Sequence, residues 1–360
     1  MERATAIRRL GEQWIRELAE RDSGGFVCSP AGLWLALAAV ASGARAETAA
    51  ELRALLGVAD REAAPVVTET ARELARTDAL AVATRVWTRV PVRPAYQDAL
   101  PDIPVGAMDP AEIDAWVREA TGGLIERLPL RLTGSTLLAL VNVLALRAHW
   151  ETPFEARSTG DLPFTDAAGA SRQVPTMRGP VALRDVWRAG GVHVVELRCR
   201  ADPGGGAPAR VRFVLGEPGA GAAQVLPAGW APRASGTPLY ADAVSVAIPR
   251  FTLRTTVQVT EQLPALGVRI AASDAADFSG ISAVPLALSA VVQETVVTLA
   301  EKGVEAAAVT VVATRAGAAP RARRMRHIAF DRPFGVVVLD GVSDVPLFTA
   351  WQADTPVHEG

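Results

Sequence analysis

Lysine and asparagine are almost absent from this chain of 360 residues, and cysteine is scarce. Lys302 is the only lysine, Asn142 the only asparagine, and Cys28 and Cys199 are the only cysteines. Two cysteines cannot build the bridged scaffold of a disulfide-rich domain, so we expect two buried free thiols. Arginine and alanine abound, a bias typical of GC-rich genomes, which makes the single lysine a mild sign of local need.

A strong net charge is also absent. The formal charge is −2 and 49% of the residues are hydrophobic, which excludes a disordered chain and gives no general attraction to nucleic acid or to an anionic membrane. Residues 1–14 carry charges throughout, so we predict no signal peptide and a cytoplasmic location. The uncharged stretch 24–44 is interrupted by Ser29-Pro30 and Gly43 and is too short in its helical part to span a bilayer. We expect a buried helix there.

The usual catalytic and metal-binding signatures are missing as well. The sequence has no GxSxG elbow, Walker loop, GxGxxG fingerprint or HExxH helix. The four histidines are scattered without metal-ligand spacing: His149, His193, His327 and His358. We therefore predict no cofactor and no metal, and a hydrolase assembled from distant residues is disfavoured.

The first half of the chain has helical patterns. Apolar residues recur at helical spacing from Ile7 to Leu18. Ser29 is typical of an N-cap, Pro30 of the first helical position and Gly43 of a helix end. Two further helices are predicted, one opened by a capping box at Thr48–Glu51 and ended by Gly57, and one running from Asp109-Pro110 to Gly122-Gly123.

The second half has strand patterns. The runs 136–146 and 291–299 are almost continuously apolar, as in strands that are covered on both faces. The segments 193–200, 210–215 and 250–257 alternate between apolar and polar residues. Helices first and strands later predict an α+β protein with large sheets.

The segment that follows residue 299 has an unusual pattern. Gly303 permits an uncommon backbone bend, and no proline occurs between it and Pro320. With a period of two, Glu305 falls on one face, and the other face holds only small or β-branched residues: Val304, Ala306, Ala308, Thr310, Val312 and Thr314. Such a strand could enter a sheet and bury one face in little space. An ordinary hairpin arm or an alanine-rich linker fits the same pattern equally well.

The next residues, 315–327, contain five arginines among small residues. This composition is typical of an exposed loop that proteases can cut, and also of a merely solvated basic loop.

Several blocks of the sequence, in their order and spacing, resemble the serpins. They cover nearly the whole chain: FVCSP with SGARAETAAEL, VNVLALRAHWETPF, ADFSGIS, EKGVEAAAVT, AFDRPFGVVVLD and PLFTAW. The resemblance implies a single serpin domain over residues 1–360, with three β-sheets, about nine helices and an exposed reactive loop at about 301–327. With the compositional bias it suggests a bacterial member. The family is often extracellular, in contrast to the cytoplasmic location predicted above.

The resemblance also implies specific site residues. EKGVEAAAVT looks like the family's hinge, where the reactive loop leaves the central sheet: Glu301, Gly303, Val304, Glu305, Ala306, Ala307, Ala308 and Thr310. Ser29 and Asn142 fall on the polar shutter beneath the opening sheet, and Trp150 matches the tryptophan at the top of that sheet. Gln293 stands where the family usually has a histidine, so titration of the shutter is not expected. Val304 replaces the usual threonine or serine at the first inserting position.

The function implied is suicide inhibition of serine-type endopeptidases, in which the cut loop inserts into the central sheet. We expect a monomer whose partner is an elastase-, subtilisin- or trypsin-like enzyme. The alternative is a non-inhibitory binding or chaperone-like protein with the same fold. Bulky, charged or proline residues on the inserting face would favour that alternative, and none occurs through Thr314.

The bait bond is predicted at Gly317-Ala318, with Arg315-Ala316 as the nearest competitor. Counting forward from Glu301 leads to this bond, whereas counting back from Phe330 leads to Ala322. We favour the first count because the inserted strand must span the sheet at about 3.3 Å per residue. Mass spectrometry of the C-terminal fragment released from a trapped complex should find Ala318 or Ala316 at its start. A fragment that begins at Ala322 or later would make the arginine cluster the bait.

Overall fold

The computed structural model describes residues 2–77, 80–123, 125–127, 132–133, 136–146, 148–201, 205–304 and 324–358, without the side chains of 2, 81–82 and 144–146. Within these ranges the chain forms seven α-helices and six short 3₁₀ helices. The α-helices are α1 (Glu2–Arg21), α2 (Pro30–Ala41), α3 (Ala46–Leu56), α4 (Ala63–Leu74), α5 (Pro94–Ala99), α6 (Pro110–Ala120) and α7 (Ala222–Val225). The 3₁₀ helices are Asp60–Glu62, Ala156–Ser158, Leu183–Asp185, Leu226–Gly229, Arg233–Ser235 and Val259–Glu261.

Eighteen strands occupy the same described ranges. They are β1 (Phe26–Cys28), β2 (Leu80–Thr88), β3 (Val105–Ala107), β4 (Leu138–Leu146), β5 (Ala148–His149), β6 (Gly160–Thr165), β7 (Ser171–Val181), β8 (Val186–Ala189), β9 (Val192–Arg198), β10 (Arg210–Leu215), β11 (Thr237–Pro238), β12 (Ala243–Pro249), β13 (Phe251–Gln258), β14 (Ala290–Ala300), β15 (Gly303–Val304), β16 (Met325–Ala329), β17 (Phe334–Leu339) and β18 (Pro346–Gln352).

The strands form three sheets, as the resemblance implied. The central sheet has the order β3-β2-β4-β14-β15-β5, with β13 paired to the other edge of β14. A second seven-stranded sheet has the order β1-β18-β17-β10-β9-β8-β11, and a four-stranded sheet has the order β16-β12-β7-β6. The predicted α+β architecture is confirmed.

Helix α2 lies inside the main core. Every residue from Pro30 to Ala41 is buried, and the helix packs against α1, α3, α4, β2, β4 and β18. Ser29 has the predicted N-cap role, because its Oγ accepts the hydrogen bond of the Gly32 N–H at 3.0 Å. The stripe of α1 is buried as predicted, with Trp14 donating from its indole nitrogen to the Gln262 amide oxygen at 2.5 Å.

Helix α6 covers the opposite face of the central sheet. Asp109 caps it with its carboxylate, and Pro110 is its first residue, as the sequence predicts. Ile113 and Val117 pack onto Val141 of β4 and Val292 of β14 in a small apolar cluster that is separate from the main core. The helix therefore bridges the two central strands of the sheet.

The predicted capping box of the third helix is wrong. Helix α3 begins at Ala46, so Thr48 and Glu51 lie inside it and serve other partners. The Glu51 carboxylate accepts three backbone hydrogen bonds, from Arg269 and Ile270 at 2.8 Å each and from Ala271 at 2.9 Å. Capping-type residues can satisfy donors on another segment as readily as those of their own helix.

Both cysteines are buried free thiols, as predicted. Burial raises the pKa of Cys199 to about 12, and burial raises the pKa of Cys28 further. None of the helices described has the length and apolar character that a membrane span needs.

Replacing Glu51 should test its role in fixing the 269–271 segment. Glu51→Ala leaves three backbone N–H groups without their acceptor and should lower the free energy of unfolding by about 1–3 kcal/mol. Glu47→Ala in the same helix is the matched control, because Glu47 is exposed and lies in the first turn. Urea unfolding of the two variants should separate them, and equal losses would contradict the assignment.

Candidate functional site

The central sheet divides where its two parallel middle strands separate. Strands β4 and β14 pair in parallel register from Ala139 with Ala290 to Leu144 with Thr295. Beyond Thr295, β14 remains paired on its other side, with β13, through Leu299. The described ladder between β4 and β14 thus ends about halfway along β14, and this opening is the candidate insertion gap.

Strand β15 lies at the head of the insertion gap. The chain turns at Glu301 and Lys302 and returns antiparallel to β14, with Val304 opposite Leu299 and Gly303 opposite Ala300. On its other side β15 pairs antiparallel with β5. A strand that continued in the direction of β15 would run back along β14, between it and β4.

Gly303 is required at this turn by both backbone shape and space. Its φ is +155°, which lies in the region that residues other than glycine rarely adopt. A Cβ placed there would lie 2.0 Å from the carbonyl oxygen of Ala148. Val304, the next residue, is 2% exposed and belongs to the main core. The bend at Gly303 is observed, and Val304, the residue predicted to insert first, is already buried in this structure.

Trp150 holds the turn through its backbone and its side chain. Its N–H donates to the carbonyl of Lys302 at 2.8 Å, and its indole Nε1 donates to the carbonyl of Ala300 at 3.0 Å. The Phe154 N–H adds a bond to the carbonyl of Glu301 at 2.9 Å. The segment 150–154 therefore fixes the residues at which the reactive-loop segment leaves the sheet.

The Glu301 carboxylate is buried in a polar cluster beside the turn. Arg250 donates from Nε at 2.8 Å and also from a terminal nitrogen, and the Thr159 hydroxyl donates at 2.5 Å. Burial acts to raise the pKa of Glu301, but the hydrogen bonds from Arg250 and Thr159 outweigh it and hold the pKa below its ordinary value. The charged carboxylate therefore stabilises the hinge.

An aromatic cluster connects the hinge to all three sheets. The ring centres of Trp150 and Phe213 of β10 lie 6.4 Å apart, and those of Phe213 and Phe330 lie 5.8 Å apart. The contacts continue with near-perpendicular rings to Phe334 of β17 and, from Phe334, to Phe164 of β6 and Phe251 of β13. Such edge-to-face packing adds stability beyond the buried area. No local sequence pattern signals this arrangement, because its members are far apart along the chain.

The predicted shutter residues form two separate pairs. Gln293 accepts from the Ser29 N–H at 2.6 Å and donates to the Ser29 carbonyl at 3.1 Å. Asn142 instead donates to the Thr84 hydroxyl of β2 at 2.8 Å. Asn142 and Gln293 are partners in the strand register, but the described hydrogen bonds of their side chains point away from each other across β4 and β14. Opening the sheet between these strands would leave both pairs intact.

The sequence analysis missed Glu294, which is buried in β14 on the α6 side of the sheet. Arg254 donates to one carboxylate oxygen at 2.9 Å, while Oε2 has no hydrogen-bond partner among the residues that the structure describes. Burial raises the pKa of Glu294, and the contact with Arg254 opposes that rise only in part. A charged residue inside an almost continuously apolar strand was the available signal.

The remaining predicted site residues lie outside the described part of the chain. They are the later hinge residues Glu305, Ala306, Ala307, Ala308 and Thr310, and the candidate bait residues Arg315, Ala316, Gly317 and Ala318. These assignments stay predictions.

A family comparison covers almost the whole chain. The model described as serpin (serine protease inhibitor) matches residues 5–353. The structure of Serpin48, described as a highly specific serpin in the insect Tenebrio molitor, superposes with a TM-score of 0.84 at 26% identity and covers 98% of both chains.

Two curated relatives place the similarity in sequence. Alpha-1-antiproteinase 2 of Equus caballus is 31% identical over 248 residues, which are 68% of this chain and 56% of that protein. The chain thus spans little more than half the length of this relative. Iris of Ixodes ricinus is 27% identical over 348 residues, 91% of each chain. The expectation of a bacterial member is not borne out, because these relatives are animal proteins.

The Glu301 cluster predicts a pH-dependent stability of the intact protein. Because the folded pKa of Glu301 is lowered, its contribution is present above the ordinary value of 4.5 and is lost as the pH falls through the folded pKa. Glu301→Gln should cost about 2 kcal/mol at pH 7, the range for hydrogen bonds to a charged group. The difference between parent and variant should shrink toward zero in acid.

Urea unfolding of both proteins across this pH range measures the difference. Glu155→Gln is the matched control, because Glu155 also pairs with an arginine but lies exposed on the surface. A Glu301 variant as stable as the Glu155 variant at pH 7 would contradict the role of the cluster.

Proposed function

The chain belongs to the serpin family, and we propose that it is an inhibitory member that traps serine-type endopeptidases by inserting its cut reactive loop into the central sheet. The observation that carries this proposal is β15. Its two residues already lie between β14 and β5, and they run in the direction that leads along the insertion gap. Insertion of the loop can therefore proceed by extending β15, whose first two residues already pair with both neighbouring strands.

The chemistry of the first step belongs to the protease. Its serine oxygen attacks the carbonyl carbon of Gly317, the amide bond to Ala318 breaks, and the released amine takes a proton. The product is an ester between the protease and the new C-terminus of the loop. Insertion then moves the bound enzyme away and distorts the site that would hydrolyse this ester.

The driving force comes from pairing and burial. When the loop inserts, the edges of β4 and β14 beyond Thr295 gain backbone hydrogen bonds to it. The loop face that carries small and β-branched residues becomes buried in the sheet. The intact protein must therefore be separated from a more stable form by a barrier. Burial of the Glu294 carboxylate, which raises its pKa, adds a desolvation cost to the intact form.

Gel electrophoresis under denaturing conditions tests the proposal. The chain should form a covalent adduct with trypsin, pancreatic elastase or subtilisin at a mass equal to the enzyme plus the inhibitor less the released fragment. Cleavage of the loop without any adduct would favour the alternative, a non-inhibitory binding or chaperone-like member of the family. Similarity to a protein named as an antiproteinase supports the first outcome.

Two adjacent alanines supply a matched test of the inserting face. Ala308 falls on the face predicted to enter the sheet, and Ala307 falls on the other face. Ala308→Glu should abolish the adduct while the loop remains cleavable, because burying an unpaired carboxylate costs several kcal/mol. Ala307→Glu should keep most of the parent yield. Equal adduct yields from the two variants would contradict insertion with this register.

A further inference from the structure

The chain has only two tyrosines, and they have opposite environments. Tyr96 is buried and donates to the carbonyl of Ala39 at 3.0 Å. Tyr240 is 93% exposed, the highest value among the exposed large hydrophobic residues of the described ranges. An aromatic side chain held so fully in water gains nothing for the stability of the isolated protein.

The residues on both sides of Tyr240 anchor it to the core, and they form what we call its support: strand β11, Leu239 and Ala241. Its neighbours Leu239 and Ala241 pack against the main core, so alternation along the extended chain directs Tyr240 away from it. The preceding strand β11 pairs with β8 opposite Trp187, and the Arg233 guanidinium lies 4.9 Å from the centre of that indole. The exposure is thus built into the fold.

The support of Tyr240 is also the point at which the chain returns from the reactive loop. Asp242 accepts from the Arg324 N–H at 2.8 Å and donates its own N–H to the Arg324 carbonyl at 3.0 Å. Strand β16 then begins at Met325, directly opposite Ala243, and Met325 is 52% exposed. Two of the exposed large hydrophobic residues therefore flank this junction.

We propose that the exit surface, formed by Tyr240, Arg324, Met325 and Arg326, binds the body of the target endopeptidase outside its substrate cleft. This inference rests on the proposed function. Tyrosine, methionine and arginine are the residue types enriched at protein interfaces, and all four members are exposed. The two arginines favour a protease face that carries carboxylates around an apolar contact.

Chain length keeps the exit surface close to an enzyme seated on the bait bond. Five residues lie between Ala318 and Arg324, so their Cα atoms, six steps apart along the chain, are separated by at most about 21 Å when that segment is fully extended. A protease domain of about 220 residues is roughly 40 Å wide. The exit surface is therefore within reach of the enzyme's body, since half of its width is about as long as the connecting chain.

Tyr240→Ala tests the proposal against a matched control, Val342→Ala. Val342 is 77% exposed, lies in the turn between β17 and β18 and is not a member of the exit surface. The rate constant of adduct formation should fall at least tenfold for Tyr240→Ala and stay unchanged for Val342→Ala, with trypsin, pancreatic elastase or subtilisin, whichever the parent traps fastest. The number of inhibitor molecules consumed per enzyme should not change.

Arg326→Ala should reduce the dependence of the adduct rate on salt, since it removes one charge from the encounter.

Equal adduct rates for Tyr240→Ala and Val342→Ala would overturn the proposal while leaving inhibition itself established. Absence of adduct with the parent would instead overturn the proposed function, and this inference with it. A parent that sediments as a dimer and a Tyr240→Ala variant that sediments as a monomer would assign the surface to a second copy of the chain and overturn the protease assignment.

Discussion

Among the described residues, the pairing of β4 with β14 ends at Thr295, and this separation is the constraint on which the rest of the structure depends. Parallel strands in one sheet normally pair along their shared length, and here six register pairs are made before the ladder ends. Trp150, Phe154 and the Glu301 cluster keep the upper part apart by fixing β15 between β14 and β5. The hinge contacts are thus the interactions that maintain an incomplete sheet.

The polar residues beneath and within the sheet are arranged so that opening it is inexpensive. Gln293 bonds to Ser29 and Asn142 bonds to Thr84, so each side of the β4–β14 boundary carries its own hydrogen-bonded pair. The apolar cluster under α6 is different, because it contacts both strands. The larger resistance to opening therefore lies on the α6 face, where the burial of the Glu294 carboxylate offsets part of the packing energy.

The sequence predicted the elements whose signals are local and left unpredicted those that depend on distant partners. Ser29 with Pro30, Gly57 and Asp109 were interpreted correctly because a cap or a helix end involves only neighbouring residues. The Thr48–Glu51 capping box failed because the acceptor serves residues more than two hundred positions away. The hinge was found by resemblance and by its small-residue face, whereas Arg250, Thr159 and the aromatic cluster carry no local signal that links them to Glu301. Tyr240 shows its role only once its exposure is known.

The two buried thiols bear on the redox conditions under which the protein can keep its structure. Cys28 and Cys199 lie in different parts of the core, are unpaired and are almost inaccessible. Burial keeps both sulfurs protonated, so they react slowly with oxidants and with other thiols. With both cysteines unpaired, no disulfide restrains the metastable form, and none can be reduced to release it. In the proposed mechanism, the redox potential of the surroundings therefore does not directly influence when the loop inserts.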